Sequence, residues 1–300
     1  MRKTVFVLAL GLLAAPLFAA EAAPPAVRSE LLVTPTWLAK RLDVPRMTIL
    51  HVGKNDEVYR EGHIPNALLV AWSEIAVSRD GIPNELPPAD ALTALVRRLG
   101  LDSQSRIVIY DEEDGQSAAR AYFTLDYLGL GEQTALLDGQ LAGWKAAGLP
   151  LSIGVREVAA SSHELVPHPE RITTKSDVEK IVTGKGRQPM LIDVRAIKYF
   201  TGEEVPKGLE RGGHLPGARN VPVQDLIVSI ENPMLKPAEE LQKLFEAAGL
   251  EPGEPVVTYC NSGRQASLTY FALKYLGYEP SLYDGSMSEW AMDPKAPVEK

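Results

Sequence analysis

Pro255-Val-Val-Thr-Tyr-Cys260-Asn-Ser-Gly-Arg-Gln265-Ala-Ser-Leu-Thr-Tyr-Phe-Ala-Leu-Lys-Tyr-Leu276 reads as a short buried strand, a tight loop and a helix. Val256 to Tyr259 are β-branched or aromatic, and Pro255 bounds the run. Ala266, Tyr270, Leu273 and Gly277 fall at helical spacing and give one face to bury. Between strand and helix sits Cys260, the only cysteine in the chain. The free N–H groups and the dipole of a first helical turn favour an anion, so a thiol placed there is acidified into a nucleophile. Gly263 lets the loop curl until several amides point inward as an anion nest. Arg264 adds a fixed positive charge at the rim.

Working outward, a length of 300 residues suggests about two domains, and 45% apolar residues suit a well-formed core. A net charge of −8 gives no reason to expect nucleic acid or an anionic membrane as partner. The first 22 residues read as a signal peptide. Arg2-Lys3 is basic, Val5 to Ala15 is an apolar run too short to span a bilayer, and Ala20-Glu21-Ala22 offers a cleavage site. The mature chain is expected to be exported, most simply to a bacterial periplasm, with an uncleaved anchor as the alternative. A single cysteine in an oxidising compartment can form no internal disulfide and is open to oxidation. A buried, inert cysteine is the bland alternative. The glycine, arginine and polar neighbours favour a reactive and therefore accessible thiol.

Upstream, Thr34-Pro35 starts a helix, and strands are expected over 47–52, 68–71, 106–110 and 135–137, with helices over 88–99, 117–128 and around Trp144. The same order returns in the second half, with helices over 174–182 and 237–248 and strands over 190–194 and 256–259. Gly213-His214-Leu215-Pro216 echoes Gly62-His63-Ile64-Pro65. Tyr270-Phe271 echoes Tyr122-Phe123, and Asp284-Gly285 with Trp290 echoes Asp138-Gly139 with Trp144. The offset of about 150 residues marks a tandem duplication of one α/β unit. Residues 31–155 and 171–300 form the two domains and 156–170 the linker. Alternating strands and helices imply, in each, a parallel sheet flanked by helices.

The two copies differ at the cysteine. In the first, Tyr110 is followed by Asp111-Glu-Glu-Asp-Gly115, which is expected to repel an anion and cannot supply a thiol. One copy therefore reads as active and the other as a structural wall of the cleft. Sites in such sheets lie at the carboxyl ends of the strands, where Cys260 falls.

From about Glu30 on, the chain resembles the tandem rhodanese-like sulfurtransferases. The matching pieces are the two Gly-His-(Ile/Leu)-Pro-x-Ala turns, Asp193-Val-Arg195, the Cys260 to Gln265 loop and Asp284-Gly-Ser-Met-Ser-Glu-Trp290. The resemblance implies a thiosulfate or 3-mercaptopyruvate sulfurtransferase with an inactive first domain and a catalytic second one, needing no metal or organic cofactor. Cys260 would attack the donor's outer sulfur and carry it as a persulfide to cyanide or a thiol. The amides of Asn261, Ser262, Gly263, Arg264 and Gln265 would stabilise the terminal sulfur anion, and Arg264 would bind a sulfonate. Loops of the mercaptopyruvate branch read Cys-Gly-Ser-Gly-Val-Thr. Arg264-Gln265 in place of neutral residues ranks thiosulfate first. Ser262 and His63 match two members of a relay in the mercaptopyruvate branch, while its acidic member has no clear counterpart.

Arg195 and Arg211 either touch substrate or form ordinary ion pairs. Asp193 is expected to hold the loop. His63 and His214, each before a Pro turn, are expected to staple it rather than move protons. Trp144 and Trp290 are expected in the core. Cys-dependent phosphatases and arsenate reductases, of related architecture, place an arginine six residues after the cysteine. Here that residue is Ala266. A persulfide carrier that stops after one sulfur is the remaining rival.

Overall fold

The computed structural model describes residues 25–162 and 164–300, so the leader expected over residues 1–22 lies outside it. The first half runs β1 (Leu32–Val33), α1 (Pro35–Ala39), β2 (Met47–Gly53), α2 (Glu57–Glu61), β3 (Ala67–Ala71), β4 (Val77–Arg79), β5 (Ile82–Glu85), α3 (Ala89–Arg98), β6 (Arg106–Asp111), α4 (Gln116–Tyr127), β7 (Thr134–Leu137) and α5 (Gln140–Ala146). The second runs β8 (Ile172–Thr173), α6 (Lys175–Thr183), β9 (Met190–Asp193), α7 (Ile197–Phe200), β10 (Arg219–Asn220), α8 (Ala238–Ala247), β11 (Val256–Tyr259), α9 (Arg264–Tyr275), β12 (Ser281–Tyr283) and α10 (Ser286–Trp290).

Each half builds one parallel sheet, ordered β1-β7-β6-β2-β3 and β10-β9-β11-β12-β8. Pairing β1 with β8, β2 with β9, β3 with β10, β6 with β11 and β7 with β12 makes the two orders identical, as a duplicated unit requires. Parallel neighbours need crossover connections, and the helices that supply them cover the sheet faces. Local signals set the ends of these helices. Thr34 Oγ1 accepts from Trp37 N–H at 3.2 Å at the start of α1. Thr174 and Asp177 form a reciprocal cap on α6.

Helices α4 and α9 are buried along almost their whole length because they pack on each other between the sheets. Tyr122 meets Phe271 edge-on at 4.9 Å, and Phe123 meets Tyr270 edge-on at 5.1 Å. The cross-matching of equivalent residues places a local two-fold between the halves. Trp144 and Trp290 are fully buried, and their indole N–H groups donate to Pro150 O and Pro297 O, each at 2.9 Å. The stretch after residue 155 is less loose than its composition suggests. Ser161 N–H donates to Arg97 O at 3.0 Å and His168 N–H to Tyr127 O at 2.7 Å.

One element was not anticipated. Strands β4 and β5 form an antiparallel hairpin across Asp80-Gly81, both with positive φ. An Asp-Gly pair between Val77 and Ile82 is the residue choice such a turn demands. This hairpin reaches the other half and roofs the site. Among the described residues no helix is long and apolar enough to cross a membrane.

Candidate active site

Cys260 follows β11, the central strand of its sheet. Gly263 closes the loop as the residue before α9, with φ +79°. A Cβ there would lie 2.7 Å from Asp284 Oδ1 and 3.0 Å from Arg120 Nη1, so only glycine fits. Ser286 Oγ accepts from the N–H groups of Cys260 and Gly263, both at 3.2 Å, and donates to Tyr283 O at 2.9 Å. Met287 N–H donates to Cys260 O at 3.1 Å and Ser288 N–H to Asn261 O at 2.8 Å. The Asp284–Ser288 segment thus stitches the loop in place. The amides of Gln265 and Ala266, in the first turn of α9, have no intrahelical acceptor.

The sister loop shows what such amides do. Asp111, the last residue of β6, stands where Cys260 stands after β11, and Gly115, also left-handed, precedes a helix of the same length, 12 residues. The buried Asp111 carboxylate accepts from the N–H groups of Glu113 (3.0 Å), Gly115 (3.1 Å), Ser117 (3.0 Å) and Ala118 (3.1 Å). Burial pushes its pKa up to about 6, against the pull of those donors. The acidic loop thus fills its own nest: its amides hold a carboxylate supplied by the chain itself, which leaves them closed to an external anion.

Access to Cys260 also differs from expectation. The residue is only 2% exposed, whereas a reactive thiol was expected in the open. Above the loop lies a cleft of about 420 Å³ whose lining includes Gly81 and Pro83 of the hairpin and Lys207, Leu209, Asn261 and Ser262 of the second half. The roof comes from one half and the floor from the other.

Arg264 is not an unoccupied cation at the rim. Its Nη2 donates to Glu113 Oε2 at 2.7 Å, and its guanidinium carbon stands 5.7 Å from the Trp72 ring centre. The acidic loop neutralises it across the domain boundary. Gln265 is half-buried beside it. Arg195 is fully buried, with Nε donating to both oxygens of Asp193 (2.9 and 3.1 Å), Nη2 to Gly213 O (2.8 Å) and Nη1 to Asn261 Oδ1 (3.4 Å). It braces the loop from behind and is no surface pair. Arg211 donates to Ala296 O at 2.7 Å and Asp293 O at 2.6 Å, pinning the C-terminal segment. Of the two roles expected of it, substrate contact or ion pair, these contacts form neither: its guanidinium binds backbone carbonyls.

The two histidines staple their turns. Nδ1–H of His63 donates to Tyr59 O at 2.7 Å, with the ring stacked on Tyr59. His214 does the same to Phe200 O at 2.9 Å. Ser262 Oγ accepts from Asn84 Nδ2 at 2.8 Å, so the Ser262–His63 relay is not assembled. Sequence reasoning overlooked Asn84, Lys207, Ser286 and Arg120. Ser286 lay within the Asp284 to Trp290 motif; the other three had no local signal. Among the described residues no group of three or more His, Cys, Asp or Glu side chains is placed to hold a metal ion.

Rhodanese-like domains match residues 34–147 and 174–293. The 3-mercaptopyruvate sulfurtransferase of Escherichia coli K12 is 31% identical over 88% of this chain and 95% of its own length. The sulfur carrier protein TtuD of Thermus thermophilus is 31% identical over 90% and 97%, and the thiosulfate sulfurtransferase of Corynebacterium glutamicum 29% identical over 90% and 90%. The crystal structure of SseA from Escherichia coli, described as a 3-mercaptopyruvate sulfotransferase with the rhodanese fold, superimposes with a TM-score of 0.75 at 29% identity, covering 85% of this chain and 98% of that one. Two parallel sheets of identical strand order, one cysteine at the end of a central strand and these likenesses lead to one conclusion: the chain belongs to the rhodanese-like family, as a two-domain sulfurtransferase.

Proposed function

We propose that the chain moves sulfane sulfur from thiosulfate through a persulfide on Cys260 to a thiol or to cyanide. The Cys260 thiolate attacks the outer sulfur; the sulfur–sulfur bond of the donor breaks, and sulfite leaves with the electron pair. The acceptor then attacks the terminal sulfur of Cys–S–S⁻ and regenerates the thiolate. Two half-reactions on one nucleophile give ping-pong kinetics.

The observation that carries this reading is the Asp111 carboxylate held by four amides in the sister loop. The same fold position beside Cys260 offers amides to a sulfur anion. The second domain then supplies the chemistry and the first the roof. Lys207, which lines the cleft with Asn261 and Ser262, is the cation for the donor's sulfonate. The unassembled Ser262–His63 relay supports ranking thiosulfate over 3-mercaptopyruvate. The Escherichia coli relative favours the second donor, whose carboxylate Lys207 would serve as well.

The test is sulfur transfer from both donors, side by side, with wild type and Cys260→Ser. Loss of both activities in the variant, a faster thiosulfate reaction in wild type and one added sulfur on Cys260 by mass spectrometry are expected. Near-wild-type activity without the thiol overturns the reading. A burst of one sulfur per chain with no turnover would make this protein a carrier, the role in the Thermus thermophilus relative's name. We further propose that residues 1–22 direct export to the periplasm and are removed. Recovery of the chain with its original N-terminus from the cytoplasmic fraction would refute that.

A further inference from the structure

Several contacts between the two halves are matched across the boundary. Leu86 N–H donates to Asp284 Oδ2 at 2.8 Å, and Leu235 N–H donates to Asp138 Oδ1 at 3.0 Å. Each half thus caps the Asp-Gly turn of the other, just as the aromatic pairs of α4 and α9 repeat across the boundary. Arg120 breaks the match. It stands two residues before Tyr122 on α4, and the residue two before Tyr270 on α9 is Leu268.

Arg120 is fully buried. Its Nη1 lies 2.5 Å from Asp284 Oδ1 and its Nη2 3.2 Å from Asp284 Oδ2. Nη2 also donates to Asn84 O at 2.6 Å, and Nε to Ile75 O at 3.4 Å. Desolvating a guanidinium and a carboxylate offsets most of what their pairing returns, so an apolar residue would serve stability as well. The other half, with Leu268, adopts that solution. A reason other than stability is needed for the buried charge on this side.

The contacts around the pair supply it. Asp284 packs on Gly263 so closely that a methyl group would not fit between them. Two residues on, Ser286 holds the amides of Cys260 and Gly263. Asn84, whose carbonyl Arg120 grips, donates its side-chain amide to Ser262 Oγ. One guanidinium therefore secures both the floor and the roof of the loop, and it comes from the domain without the thiol.

We propose that Arg120 is a positioning residue for sulfur transfer: through Asp284 and Asn84 it keeps the Cys260–Gly263 loop in the form that stabilises the Cys260 anion. The proposal rests on Cys260 being the sulfur-carrying nucleophile.

The experiment compares full-length wild type, Arg120→Met, Arg120→Lys and the double variant Arg120→Met/Asp284→Asn. It reads the pH profile of Cys260 alkylation together with kcat and KM for both donors. In folded Arg120→Met the thiol pKa is expected to rise by about one unit. The kcat is expected to fall about tenfold or more with either donor, as for a reacting atom displaced by a fraction of an ångström, while KM changes little. Arg120→Lys should recover much of both. A merely structural role would lower stability and leave the thiol profile alone. A folded Arg120→Met with wild-type thiol pKa and kcat overturns the proposal. If that variant does not fold, the double variant, which leaves no unpaired buried charge, decides between the same two outcomes. A wild-type chain that forms no persulfide on Cys260 would instead overturn the nucleophile assignment, and this proposal with it.

Discussion

Arg264, the first residue of the helix after the cysteine loop, is bound at 2.7 Å by Glu113, a residue of the loop that replaces the cysteine loop in the other domain. Glu113 also accepts from Lys54 at 2.7 Å. Hydrogen bonds from Lys54 and then Arg264 hold its carboxyl below the usual range. The duplicated loop thus sets the charge available at its partner's site.

Glu113→Gln releases Arg264 toward the cleft. The pair is partly exposed, so its release is worth little, about 1 kcal/mol at most. We expect KM for thiosulfate to fall about threefold at low ionic strength, with a smaller change for 3-mercaptopyruvate, and the effect to fade in high salt. A higher KM for thiosulfate in the variant would show that Glu113 orients Arg264 rather than competing for it.

Asp111→Ala empties the sister nest and leaves four amides, three of them buried, without their acceptor. Denaturant unfolding should show a loss of about 3 kcal/mol or more, with Asp111→Asn less damaging because its amide oxygen still accepts. Equal stability of Asp111→Ala and wild type would mean that water satisfies the nest as well as the carboxylate does.

His51 gives a pH dependence with a definite sign. It is fully buried, its Nδ1 lies 3.0 Å from Tyr110 Oη, and burial followed by the nearby His63 lowers its pKa from 6.5 to about 4. The folded state therefore prefers the neutral ring. Its contribution is whole above pH 6.5 and is lost as the pH falls through 4. The loss amounts to about 3 kcal/mol. Stability measured from pH 7 to 4 should decline less steeply in His51→Gln than in wild type. Parallel curves would exclude His51 as the source.

Cys260 is 2% exposed under a roofed cleft, so reagent size should matter more than reagent reactivity. Iodoacetamide is expected to label it at least about tenfold faster than a bulky aryl maleimide, reversing their order on a free thiol. Retention of the free-thiol order would mean that the roof stands open in solution.

Much of the fold was legible because its signals are local. Val256 to Tyr259, Gly263 and the glycines after the long helices announce strands, turns and helix ends within a few residues, and duplication states each signal twice. The nucleophile was legible because the one cysteine fell at the junction of strand and helix. The partners of the charged groups were not. Arg264 finds Glu113, and Arg120 finds Asp284, only after two domains dock, and nothing in a neighbouring residue encodes that distance. The burial of Arg195 and the brace made by Arg211 lie within the second half and were hidden for another reason: Asp193 is two residues from Arg195, but its burial, like the reach of Arg211 to Asp293 and Ala296, is set by how that domain packs. Asp80-Gly81 was a fair hairpin signal that went unread because the flanking strands are short.

The local two-fold between α4 and α9 has the geometry of a symmetric dimer whose subunits have been joined end to end. In a self-associating pair every substitution appears in both pockets, so neither can be given up. Once the copies share one chain, a change in one is no longer imposed on the other. Surrendering a pocket then becomes a way to furnish the survivor, and half of the molecule is freed to specialise as scenery for the half that reacts.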